Sequence, residues 1–301
     1  MGQSDRKTQK RHFKMKWVYQ CFGISKQAFY KRLNVFKKRN LDEQVILDLI
    51  REARKELPKT GGLKLYKTIK PELVHNDIKI GRDRFYELLR RHQLLIPKNK
   101  RAYITTDSKH HFYKYPNLIK GFIPTAAEQL WVSDITYIKT DQGNAYLALV
   151  TDAYSKRIMG YKLDDHMKTS LCIDALKMAI SLRKYPNQQL IHHSDRGLQY
   201  CNPTYTNFTE SKGISISMTQ QYDPYENAVA ERINGTLKQE FGLGKTIATL
   251  KLAQKMIKKA VCLYNSKRMH YSLNFKTPDY AHKSQNHNYK QYRKIPILVN
   301  Q

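Results

Sequence analysis

Trp131-Val-Ser-Asp-Ile-Thr-Tyr-Ile138, followed by Gly143-Asn-Ala-Tyr-Leu-Ala-Leu-Val-Thr151, is the stretch whose reading decides the fold. Trp131–Lys139 alternates with a period of two, Asp141–Asn144 is built of turn formers, and Ala145–Thr151 reads as a second strand. Arg157–Leu163 reads as a third, so an antiparallel meander is expected. Downstream the period changes. Ser170–Arg183 is amphipathic with helical spacing, and Gln189–His193 is a short apolar strand. A helix over Tyr205–Ser211, a strand over Ile214–Ser217, and helices over Val229–Phe241 and Leu250–Tyr264 complete the pattern. Three strands, then helices interleaved with two more strands, predict an α/β domain with a mixed sheet.

Three acids stand out in this frame. Asp134 interrupts a strand otherwise made of apolar, β-branched and aromatic residues, where aspartate is disfavoured. Asp195 lies just past the strand around Leu190-Ile191, beside Gly197, where a carboxylate can face a cleft at a strand's C-terminal end. Glu231 sits on a helix directly after the turn-rich Tyr222–Asn227. Sixty residues separate Asp134 from Asp195, and 35 separate Asp195 from Glu231. Hard divalent cations such as Mg²⁺ prefer carboxylate oxygens, and two of them about 3.5–4 Å apart can hold the attacking and leaving oxygens of a phosphodiester exchange. Taken singly, each acid reads equally well as a solvated turn or helix residue.

The charge balance points to the same substrate class. The 301 residues carry 54 Lys+Arg against 25 Asp+Glu, a net +29, which self-repulsion would oppose without a polyanionic partner. Residues 1–120 hold 30 basic and 11 acidic residues, so +19 of the surplus lies ahead of the α/β region. There, Lys14–Gln20, Gly23 and a helix starting near Lys26 and capped by Ser25 form a helix-turn-helix pattern. Phe29, Leu33 and Phe36 recur at helical spacing, and Lys26, Gln27, Lys31 and Arg32 suit DNA contacts. A second module begins at Asp42. Its last helix, from about Arg82 to His92, turns Phe85, Leu88 and Leu89 inward and Arg84, Arg90 and Arg91 outward. The expected division is 1–40 and 41–95 for the two modules, 96–122 for a basic linker with Lys98, Lys100 and Arg101, 123–284 for the catalytic core and 285–301 for a tail. Cys21, Cys172, Cys201 and Cys262 show no metal-ligand or disulfide spacing. No apolar run follows the basic N-terminus, and the stretch around Tyr146–Val150 is too short to cross a bilayer. A cytoplasmic, nucleoid-associated protein without a membrane partner is expected.

Residues 123–284 resemble the catalytic core of DDE transposases and retroviral-type integrases, and more narrowly the second reading-frame product of bacterial insertion sequence family three. The resemblance is carried by Trp131–Ile138, His193-Ser-Asp-Arg-Gly-Leu-Gln-Tyr200, Asn227-Ala-Val-Ala-Glu231, Leu237-Lys-Gln-Glu240 and Tyr264–His270 with Thr277-Pro278. Gly23–Tyr30 resembles the same family's opening helix-turn-helix. The resemblance implies a ribonuclease-H-like core with Asp134, Asp195 and Glu231 as catalytic residues and metal ligands, and Mg²⁺ or Mn²⁺ as a pair of ions. It implies DNA contacts from Lys238, with Arg196 and Arg268 as further candidates. It also implies cleavage and strand transfer at terminal inverted repeats, double-stranded DNA ends and target as partners, a homo-oligomer on DNA, and an upstream-frame zipper partner or fusion. Two departures are Glu226, where the family usually has aspartate, and Gly61–Tyr66, where a Tyr-Gly-Tyr-like motif is expected. A repressor with a decayed nuclease core, or a nuclease without strand transfer, is compatible with the same residues, although the intact spacing of the acids weighs against decay.

The remaining polar residues admit plainer readings. His193 fits a hydrogen-bonded structural role better than a proton shuttle, and Asp152 reads as a turn residue before Ser155. Arg268 and His270 fit either DNA contact or bracing of the core. Helical rotation of about 100° per residue puts Lys238 on the Glu231 face and turns Glu240 outward. Asn227 is the expected helix cap, leaving Glu226 in the preceding turn.

Overall fold

The computed structural model describes residues 15–97, 111–220 and 227–284. The basic cluster Lys98, Lys100 and Arg101, Glu226 and the tail 285–301 lie outside the described residues. Helix α1 (Met15–Cys21) and α2 (Lys26–Glu56) flank a turn in which Gly23 takes φ 58°, a left-handed conformation that favours glycine. Ser25 Oγ accepts from the Ala28 N–H at 3.1 Å, the expected cap. Lys26, Gln27, Lys31 and Arg32 are exposed on the first turns of α2, as is Phe36. One expectation fails here. The boundary at 40/41 falls inside α2, which runs unbroken for 31 residues because no Gly or Pro interrupts it and Asn40 and Asp42 alone do not stop a helix. Helices α3 (Gly62–His75) and α4 (Arg82–Arg91) follow. In α4 Phe85, Leu88 and Leu89 are buried while Arg84, Arg90 and Arg91 are exposed, as the periodicity requires. Contacts divide the chain into residues 1–52 with 69–79, and 53–68 with 80–301.

The second unit is built on a five-stranded sheet of order β3-β2-β1-β4-β5. Its strands are β1 (Leu130–Thr140), β2 (Gly143–Asp152) and β3 (Ile158–Asp164), then β4 (Leu190–Ser194) after α5 (Thr169–Ser181), and β5 (Ile214–Met218) after α6 (Leu198–Cys201) and α7 (Pro203–Glu210). The first three strands pair antiparallel, and β4 and β5 add in parallel to β1. Helices α8 (Ala228–Glu240), α9 (Leu250–Ser266) and α10 (Pro278–Lys283) close the domain. This mixed sheet, with its parallel half reached through a helical crossover, is the ribonuclease-H-like layout.

Strand β2 shows why both faces must be covered, because it is apolar at successive positions rather than alternate ones. Ala148 and Val150 face α5 through Leu171, Cys172, Ala175, Leu176 and Ala179, together with Trp131 and Tyr205. Leu147 and Leu149 face α8 and α9 through Ile233, Leu237, Ile257 and Tyr264. Gly160 in β3 is a contact point: a Cβ there would stand 2.0 Å from the Ala175 carbonyl oxygen, so only glycine lets α5 lie so close.

The C-terminal end is pinned by buried polar bonds. Asp152, fully buried, accepts from the Ser155 N–H and Oγ (2.7 Å each) and from the Glu128 N–H (2.6 Å), so it is the turn residue its sequence position indicates. Glu128 in turn accepts from the Lys184 and Tyr185 N–H groups at 2.7 and 2.8 Å and meets His282 Nε2 of α10 at 3.1 Å. Each buried acid is therefore satisfied, as burial of a charge demands.

Candidate active site

Register brings the first two acids together. In the parallel pair β1/β4, Val132 stands beside His193, and Asp134 and Asp195 each lie two residues further along. Both acids thus emerge at the same level, at the C-terminal end of β4, and both are half-buried. The third comes from α8, whose first turn carries Glu231. Asn227 was expected to cap this helix with its side chain; instead its Nδ2 donates to the Ser133 carbonyl at 3.1 Å, tying the start of α8 to β1 next to Asp134. This bond to a buried carbonyl orients the amide so that its Oδ1 does not reach the helix N–H groups.

Two of the three carboxylates are held from behind. Asn234 Nδ2 donates to Asp134 Oδ2 at 2.7 Å, and the Gly197 N–H donates to Asp195 Oδ1 at 3.0 Å. A side chain at 197 would bring its Cβ to 3.0 Å from Asp195 Oδ1, which accounts for the glycine. Burial pushes Asp134 up to about 7, the Asp195 charge adds to this and Glu231 adds further, while the Asn234 bond opposes them. Asp195 and Glu231 are also raised, each chiefly by burial. Among the described residues none of the three has a salt-bridge partner. Three acids brought together, Asp134 feeling the charge of both others and all offering hard oxygens, form a donor set that fits Mg²⁺ or Mn²⁺. The tightest His/Asp/Glu group among the described residues is elsewhere: Asp164, Asp165 and His166 lie with ligand atoms within 4.8 Å, consecutive on one turn. The Asp134–Asp195–Glu231 group is more open than that.

Lys238 lies on the same helix face as Glu231, half-buried, with Nζ 4.3 Å from the centroid of the Tyr137 ring. Burial lowers its pKa, against which the Asp134 charge acts. Asn234, three residues after Glu231, shares that face, a spacing present in the sequence but not used. Arg196, between Asp195 and Gly197, is half-buried. His192 and His193 are buried beside the site. Ser133 Oγ meets His192 Nε2 at 2.7 Å, and Ser217 Oγ meets His193 Nδ1 at 2.9 Å. Burial pushes the two imidazoles down to about 3 and about 4, so both are neutral braces between strands.

Two expectations at the far end of α8 are corrected. Glu240 does not face outward; it accepts from Arg268 Nε and Nη2 at 2.7 and 2.6 Å, and Lys64 approaches to 3.6 Å. Arg268 is only 7 % exposed and also meets His270 Nε2 at 2.8 Å, so its guanidinium braces α8 and is not presented to DNA. The helix rotation was right, but the loop after α9 wraps over that face, which periodicity within one helix cannot reveal.

Models of the integrase core domain match residues 124–224 and 212–278. The Shigella sonnei "Insertion element IS600 uncharacterized 31 kDa protein" is 36 % identical over 224 residues, covering 73 % of this chain and 80 % of that protein. The transposase InsF for insertion sequence IS3A of Escherichia coli K12 is 33 % identical over 154 residues, 51 % of this chain and 53 % of the relative. The chain belongs to the insertion-sequence transposases. The transposase is thereby one of the enzymes that cut DNA and transfer its strands, with an integrase core as their catalytic domain. It also aligns with the magnesium complex of the HTLV-2 integrase catalytic core at 21 % identity and a TM-score of 0.42, over 52 % of the transposase and 97 % of that core. Among the described residues, no helix of the transposase is long and apolar enough to cross a membrane.

Proposed function

We propose that this transposase binds the terminal inverted repeats of its element and carries out metal-dependent strand cleavage and strand transfer with Asp134, Asp195 and Glu231. The observation that carries the reading is the convergence of these carboxylates, two by strand register and one from the first turn of α8, with Asp134 pushed up by its burial and by the charge of both others. The three acids would hold divalent cations, Mg²⁺ or Mn²⁺, as the pair of ions that such an exchange of phosphodiester oxygens uses. When bound, such ions supply the charge that activates the attacking oxygen and stabilises the leaving one. Asn234 fixes the orientation of Asp134, the Gly197 N–H that of Asp195, and Asn227 the start of the helix that presents Glu231. Lys238 sets a positive charge beside the scissile phosphate near the cleaved end.

The chemistry needs no covalent enzyme intermediate. Water displaces the 3′-oxygen at an element terminus, and the freed 3′-hydroxyl then displaces an oxygen of a second phosphodiester, one P–O bond forming as one breaks. Residues 123–284 perform these steps, while the helices ahead of them hold DNA through Lys26, Gln27, Lys31, Arg32, Arg84, Arg90 and Arg91. The functional form is a homo-oligomer on paired DNA ends in the bacterial cytoplasm and nucleoid, alone or with an upstream-frame partner. Full-length protein incubated with DNA carrying the element's ends and Mg²⁺ tests the reading. Joined product supports it, cleavage alone reduces it to a nuclease, and binding without product reduces it to a DNA-binding protein.

A further inference from the structure

A cleft of about 570 Å³ lies away from the three acids, where the C-terminal end of α8 meets the start of α3 and the loop after α9. Three aromatic rings, Tyr86, Tyr271 and Phe275, stand among its walls. Tyr86 lies so near the chain that a Cβ on Gly62 would stand 2.9 Å from its ring, and Tyr271, 59 % exposed, meets Phe275 edge-on at 5.6 Å. Lys59 and Lys64 line the cleft, and Lys67 lies 5.4 Å over the Phe275 ring. The acid that lines it, Glu240, is already neutralised by Arg268 at 2.6 Å.

The loop bearing the aromatic edge is strained. Asn274 and Phe275 take φ 52° and 62°, a left-handed conformation that is a genuine outlier for a bulky side chain. It is held by Phe275 N–H to His270 O at 2.9 Å and by His270 N–H to Lys276 O at 3.0 Å. Strain of this kind persists where the surroundings fix it, and it clusters at binding sites.

Aromatic faces next to lysines, without an unpaired acid, match bases and phosphates together. A duplex keeps its base faces stacked and unavailable, so the geometry points to unpaired nucleotides of a DNA strand. We infer that this cleft binds an unpaired DNA segment by stacking bases on Tyr271 and Phe275 while Lys59 and Lys67 meet its phosphates, Lys64 being tied to Glu240. The inference rests on DNA being the substrate but not on the cleavage chemistry.

The test is binding by the full chain in EDTA, where no strand is cut, so a failure of the catalytic reading leaves it untouched. The probes are a labelled oligothymidylate of about 12 nucleotides and a duplex of similar length. Tyr271→Ala should weaken oligothymidylate binding about tenfold and duplex binding less than about twofold, whereas Tyr271→Phe should bind like the parent. Equal loss on both probes, or no loss on either, overturns the proposal. Photocross-linking of a 5-iodouracil oligonucleotide to the unsubstituted protein removes any dependence on how the variant folds. Cross-links at Tyr86, Tyr271 or Phe275 support the cleft, and cross-links confined to other segments overturn it.

Discussion

Asp134 is under electrostatic load, because it is half-buried and feels the charge of two other acids. A carboxyl raised from an ordinary value near 3.8 to about 7 binds more protons folded than unfolded between those values, so its contribution to stability falls as pH rises through that window. Asp134→Asn in EDTA should therefore melt with the parent near pH 4 and above it at pH 8, by on the order of 2 kcal/mol after allowing for partial exposure. Mg²⁺ should raise the parent's melting temperature more than the variant's. A gap that does not change with pH would mean Asp134 is not under this load. Asn234→Ala leaves the acids in place but frees Asp134 to rotate, and should lower turnover while leaving DNA affinity in EDTA unchanged. The three acids stood out as candidates because aspartate in an apolar strand and acids beside turns are locally anomalous, and it was the family resemblance that joined them into one set. Asn234 was not legible, nor was the bond of Asn227 to Ser133, since an asparagine on a helix is ordinary until its partner on β1 is known.

Within single elements, helix α8 is fixed at both ends, by Asn227 on Ser133 and by Glu240 on Arg268. Loosening the second should reach the site through the helix. Arg268→Ala should cost about 1–3 kcal/mol by leaving Glu240 with Lys64 alone at 3.6 Å, and reduce cleavage, with urea denaturation as the measure. Strand β3 gives a sharper case: Gly160→Ala would drive a methyl group into the Ala175 carbonyl and should destabilise by about 3 kcal/mol or more in the same assay. Strands and helices of the core were readable almost end to end, because period two and period 3.6 alternate with clear turns between them. The expected break in α2 was wrong since nothing but weak helix formers marks it, and the Glu240–Arg268 pair escaped notice because it joins residues distant in the chain.

For the whole molecule, the surplus charge bears on the proposed DNA binding. Exposed Lys26, Lys31 and Arg32 belong to the unit that opens the chain, and the proposal assigns its sequence-independent affinity to this strongly positive part. Replacing all three by alanine in the full chain should lower the slope of log affinity against log salt by roughly 2–3. An unchanged slope would move the phosphate contacts elsewhere. The ribonuclease-H-like layout follows from sheet order, and the order itself was not written in any one strand; it came from the resemblance of the ordered acidic motifs. What joins these levels is the claim that Asp134, Asp195 and Glu231 act as one site. Cleavage and joining of end-bearing DNA by Asp134→Asn, Asp195→Asn and Glu231→Gln, beside binding of the same DNA in EDTA, tests it most directly. Loss of both reactions in all three, with binding retained, is the expected result; full activity in any one of them would contradict the account and remove that residue from the site.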